Sequence, residues 1–185
     1  MIPAATAHAL RSPPFEPSAF TPTKFSTTED KAWFGNALLK FLANDSPQTG
    51  FTTRLYHRLS LTFGHIAHFN KYGFYGTFFQ DDSGKLEFLR QTIQWPFFGD
   101  PHHTFSDVER AVAARVKTSG LIHFYEMRLN TAIEQAERAK LAQLKAKYEP
   151  SQTNTAAIPP AASDRPQPLR QGDLFGLASL RRIPD

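Results

Sequence analysis

Apolar residues recur at helical spacing through most of this chain. Trp33, Phe34, Ala37, Leu38, Phe41 and Leu42 mark an amphipathic helix, opened by Thr27 with Asp30 three residues on and closing near Asn44. After the turn-forming stretch DSPQTG, Thr52 or Thr53 caps a second helix. In it Leu55, Leu59, Phe63 and Ile66 form one stripe, and His57, Leu61, Gly64 and His68 another. Two lined faces predict a helix surrounded by protein, and Asn70 and Gly73, which tolerate left-handed backbone, are its expected stop. In GFYGTFFQ (Gly73 to Gln80) the aromatics and Thr77 suit a strand, yet helix or irregular packing is favoured slightly over it. DDSG reads as a turn, and Lys85 to Gln94 as a short helix with Leu86, Leu89 and Ile93 inward, stopped by Pro96. Ser106 with Glu109 reads as a capping box for a helix over Asp107 to Lys117, which Ser119-Gly120 breaks. A long helix from about Leu121 to Tyr148 follows, supported by the pair Glu134/Arg138. Beyond roughly Gln135 its Ala, Lys, Glu and Gln content predicts that it leaves the core.

This pattern predicts a mainly α, compact helical domain over residues 25–149, with at most a few short strands. Ahead of it, residues 1–24 carry prolines at 3, 13, 14, 17 and 22 and read as an extended arm, which Phe15, Phe20 and Phe25 could pin to the domain. Residues 150–170, rich in Pro and Ala, have too little apolar area to offset ordering and read as a flexible linker. Apolar residues return in a short terminal peptide, 171–185. No internal repeat is visible.

Composition narrows the possible chemistry. The 185 residues are 41% hydrophobic and include 17 Phe, enough for one aromatic-rich core. The absence of cysteine excludes disulfides, thiolate nucleophiles and cysteine-bound zinc, and suits a reducing compartment. A net charge of +4 permits nucleic-acid contact without arguing for it. No apolar run approaches the roughly 18 residues that a membrane span needs, and Pro3, His8 and Arg11 interrupt any signal-peptide pattern. A cytoplasmic, bacterial location is the expectation.

The segment Leu55 to Gln80 gathers His57, His65 and His68 with many of the aromatics, and carries no acidic residue before Asp81. His65 and His68, three apart on a helix, are candidate catalytic residues. They are also candidate metal ligands, with a further ligand from Asp81, Asp100 or His102. The alternative is two histidines hydrogen-bonded inside a crowded aromatic core. Asp100, His102, His103, Asp107 and Glu109 make a second polar cluster, equally readable as a loop with a helix cap. There is no Walker or Rossmann glycine motif, so nucleotide phosphate has only Gly64 or Gly73 at a helix start, with Arg54, Arg58 and Lys71 nearby. ATP and a divalent metal are thus possible cofactors. Tyr72, Phe74 and Tyr75 are candidate partner-binding aromatics. In the terminal peptide, Gln171, Asp173, Leu174 and Phe175 resemble the Gln-x-(Asp/Ser)-Leu-Phe motif that docks bacterial proteins on the DNA polymerase sliding clamp, although Gly172 stands where Leu is usual. Packing of this peptide back on the domain is the alternative.

Taken together, KAWFGNALLKFLA, LYHRLSLTFGHIAHFNKYGFYGTFF, WPFFGDPHHTFSDVERA and AERAKLAQLKAKYEP resemble the plasmid fertility-inhibition factors of the Osa and FiwA type, over about Phe25 to Pro150 plus the terminal DLFG. That resemblance implies a protein that blocks conjugative transfer of a competing plasmid, or of T-DNA. The implied targets are the coupling protein of a type IV secretion system, a relaxosome component, or DNA. It also implies an α+β fold like that of ParB and sulfiredoxin as the alternative to the helical reading, with ATPase and DNase activity. FGHIAH (Phe63 to His68) is the nearest counterpart of the glycine-led phosphate motif of that fold. Here it lacks both the cysteine and the arginine, so sulfiredoxin-type reduction is excluded.

Overall fold

The computed structural model describes residues 1–62, 69–93 and 106–149. Its α-helices are α1 (Ala4–Arg11), α2 (Thr28–Ala43), α3 (Thr53–Thr62), α4 (Lys71–Phe78), α5 (Asp82–Glu87), α6 (Ser106–Ser119) and α7 (Leu121–Tyr148). Among the described residues there is no strand, only an isolated bridge between Thr23 and Ser26. The fold is mainly α, as the periodicity predicts, and the α+β alternative is not what these residues adopt.

Local chemistry starts most of these helices. The Thr27 side chain accepts from the Asp30 amide at 3.1 Å, and Thr52 accepts from the Leu55 amide at 3.2 Å. Asn70 caps α4 by accepting from the Gly73 amide at 2.7 Å. These two residues therefore start a helix here instead of stopping one, because the Asn70 backbone is extended and its side chain is free to receive an amide. Asp81 does the same for α5 through the Gly84 amide at 2.7 Å, so the helix opens inside DDSG, before Lys85. Only glycine fits at 84, since a Cβ there would stand 2.4 Å from the Thr77 carbonyl oxygen. Between α6 and α7, Gly120 takes φ +76°, the left-handed turn that separates them.

The N-terminal residues are not an extended arm. Pro3 precedes α1 and Pro13 follows it, leaving the proline-free, alanine-rich AATAHALR to form two turns of helix. α1 packs on α2 and α6 and buries Ala7 and Leu10. Phe20 is also buried, whereas Phe25 is exposed. Lys31 anchors this strap: only 2% exposed, its ammonium donates to the Thr21 carbonyl at 2.5 Å and to Asp107 at 2.7 Å. The Thr21 amide in turn donates to Asp107 at 2.9 Å. This buried cation is tolerable because a carboxylate and a backbone carbonyl both accept from it.

The core joins Leu10, Phe34, Leu38, Val108, Val112, Val116, Leu121 and Tyr125 to an aromatic cluster around Phe51, Phe74, Phe79 and Phe88. Rings of Phe79 and Phe88 lie 4.8 Å apart, close to edge-on, as ring quadrupoles prefer. Phe88 and Leu89 enter this core from a π-helical turn, Phe88–Ile93, that continues α5.

Candidate functional site

The clearest polar constellation forms where α2 ends. Asp45 and Ser46 take left-handed backbone, with φ 65° and 54°, and turn the chain sharply after Asn44. That turn aims the Asp45 carboxylate at α5 and α7. It accepts from Lys85 Nζ at 2.7 Å and from the Tyr125 hydroxyl at 2.9 Å, and Arg128 Nη1 lies 3.4 Å away. Arg128 Nε also reaches Asp82 at 2.9 Å, and the Met1 amine stands 3.8 Å from Asp45. Burial works against charge on Asp45, but the hydrogen bonds from Lys85 and Tyr125 and the charges of Lys85 and Arg128 outweigh it. The carboxyl is held below its usual range. Burial, followed by the Asp45 charge, pushes the Tyr125 phenol well above its ordinary value. Tyr125 therefore donates and stays neutral.

Beside this network runs a groove of about 680 Å³ along α7. His123, Met127, Thr131 and Gln135 recur every four residues along it, and Pro3 and Thr6 of the α1 region face them. Phe124 and Met127 supply apolar surface, while Asp82 and Arg128 line it as an ion pair at 2.9 Å. The Arg128 guanidinium also lies 5.4 Å over the Phe124 ring, which fixes both side chains. Apolar walls with a few fixed polar groups suit a peptide or other amphipathic ligand.

The candidates read from sequence fare unevenly. Gly64, His65, His68, Asp100 and His102 lie outside the described residues, as do Gln171, Asp173, Leu174 and Phe175. Among the described residues, no three His, Cys, Asp or Glu side chains come together as a metal site. Lys71 sits in the first turn of α4, near the Thr53 hydroxyl at 3.4 Å, with its ammonium 5.9 Å from the Tyr72 ring. The three aromatics separate by depth. Tyr72 is 76% exposed and available to a partner; Phe74 is fully buried and belongs to the core. Tyr75 is half-buried and donates to the Ser46 carbonyl at 3.0 Å. Phe74 is therefore corrected from contact residue to core residue, because helical spacing turns positions 72 and 74 to opposite sides of α4. Arg54 and Arg58 reach Asp30 at 3.9 and 3.0 Å, and Arg54 stacks 3.7 Å over Trp33, so these cations already serve the fold.

Sequence reasoning missed the Asp45 network and the groove beside it. Their only local signal was an acid inside a turn-forming loop. No protein-family model, curated protein or solved structure matches this chain. No described helix is long and apolar enough to cross a membrane.

Proposed function

We propose that this protein is an inhibitory binding protein that blocks conjugative transfer of a competing plasmid, or of T-DNA, by engaging the transfer machinery. The favoured target is the coupling protein of a type IV secretion system. The resemblance of its sequence blocks to the fertility-inhibition factors supplies the biological setting. The observation that carries the binding role is the groove of about 680 Å³ along α7, apolar at Phe124 and Met127 and lined by the Asp82–Arg128 ion pair. Such a site holds a partner by shape and apolar burial, with Thr6, His123 and Gln135 available for hydrogen bonds.

The test is a transfer assay run beside a pull-down of the coupling protein. Met127 is exposed, so Met127→Glu leaves folding intact while placing a charge in the groove. It is expected to lower both coupling-protein capture and transfer inhibition at least tenfold, as expected when a charge is buried unpaired at an interface. Full inhibition by a folded Met127→Glu protein would remove the groove from the mechanism.

A further inference from the structure

The strap between α1 and α2 is held to the protein largely by its backbone. From Ser12 to Lys24 only Phe20 is buried, and regular structure is limited to a 3₁₀ turn, Pro17–Ala19, and the Thr23–Ser26 bridge. Asn36 of α2 grips both backbone groups of Phe15. The Phe15 amide donates to Asn36 Oδ1 at 2.7 Å, and Asn36 Nδ2 donates to the Phe15 carbonyl at 2.9 Å. Six residues on, Asp107 and Lys31 treat Thr21 the same way, taking its amide at 2.9 Å and donating to its carbonyl at 2.5 Å. Arg115 of α6 donates to the Pro13 carbonyl at 2.8 Å, and its guanidinium lies 4.7 Å over the Phe15 ring. Gly35 leaves room for that ring, since a Cβ there would stand 2.7 Å from Phe15 Cδ2. The Phe20 ring meets it edge-on at 5.6 Å.

Contacts of this kind read an extended chain more than a particular sequence: main-chain hydrogen bonds hold it, and side-chain pockets select it. The pattern they demand is an aromatic residue, a second aromatic five positions later, and a free amide at the first position and at the sixth beyond it. Proline is therefore excluded at those two amides, although the strap tolerates it elsewhere. The strap meets the pattern with Phe15, Phe20 and Thr21. It is also easily lifted, because a segment with so little buried side chain can open while buried α2 stays folded. We propose that the α2–α6 face is a docking site for an extended partner peptide of this pattern, separate from the groove along α7. Residues 13–21 occupy it in cis until such a peptide displaces them.

The probe is a labelled synthetic peptide of residues 13–24, added to the full chain. The tethered strap competes at high local concentration, so weakening it should uncover the site. Phe15 is only half-buried, and Phe15→Ala in the protein should tighten capture of the peptide about tenfold over the parent chain. Adding Asn36→Ala to that variant should weaken capture about tenfold, by removing both hydrogen bonds at the first position. A peptide with alanine for both phenylalanines, or carrying Thr21→Pro, should not bind. Absence of binding by the folded Phe15→Ala protein, or equal binding of the Thr21→Pro peptide, would overturn the proposal. Hydrogen exchange on the unaltered chain decides the matter independently of any variant. The Phe15 and Thr21 amides should exchange far faster than that of Leu38 inside α2. Exchange of all three at the rate of global unfolding would make the strap a permanent part of the fold and refute displacement. A dimer that the peptide dissolves would assign the site to the strap of a second copy, and would equally overturn the partner-peptide reading.

Discussion

The two ends of α7 obey different rules although they are one helix. At its beginning, Leu121 and Tyr125 are buried, and Tyr125 and Arg128 are tied to Asp45. From Asn130 to Glu149 every side chain is exposed. Both parts have apolar residues at helical spacing, so periodicity alone does not separate them. The difference lies in what the apolar positions meet. The first part is held by the fold, and the second offers its surface outward. A stripe on a helix is therefore a request for a partner, and the tertiary structure decides whether the same chain supplies one.

Substitutions should sort along this divide. The largest effect is expected in the aromatic core: Phe74→Ala should cost about 3–5 kcal/mol in chemical denaturation, since surrounding rings cannot close the cavity. A surface-like loss below 1 kcal/mol would mean that α4 is not packed as described. Next comes the hub that anchors the start of α7. Asp45→Asn keeps a residue that tolerates left-handed backbone but removes the charge facing Lys85 and Arg128, and should cost about 1–3 kcal/mol. Acid titration should show the same centres collectively. Asp45 and Asp107 are both held below the usual aspartate range: for Asp107 burial opposes ionisation, but hydrogen bonds from Lys31 and the Thr21 amide prevail. A lowered carboxyl pKa contributes stability that is complete above the unfolded value of about 3.9 and is lost as pH falls through the folded values. The acid limb of the stability curve should therefore be shallower in Asp45→Asn.

On the exposed part of α7, Ile133→Ala should change stability by no more than about 0.5 kcal/mol. A cost near that of a core residue would contradict the exposure seen there. The smallest effect is expected at the histidines. If inhibition works by binding, His65→Ala and His68→Ala block transfer as well as the parent chain does. Metal-dependent DNA cleavage by the parent chain, abolished in both variants, would instead assign the activity to the hydrolytic alternative.

The features legible in the sequence are those whose causes lie within one helical turn. Thr27 and Asp30 announce the start of α2 because a cap and its amide are three residues apart. The extent of α7 and its Glu134–Arg138 pair follow from the same short-range geometry. α1 escaped notice because the prolines dominate its surroundings, although they flank the helix and do not enter it. Asn70 was ambiguous because asparagine both caps helices and ends them, and only the Gly73 amide shows which it does here.

The sequence by itself determined a helical chain without cysteine chemistry, an aromatic core and a long final helix, because period, composition and capping act locally. Tertiary structure alone decided that Asp45 would meet Lys85, 40 residues away, and Tyr125, 80 residues away. It also set Phe74 in the core and Tyr72 on the surface, and formed a groove beside Arg128. Those outcomes depend on how separate helices dock, and docking is chosen by the sum of many weak contacts that no single stretch of chain contains.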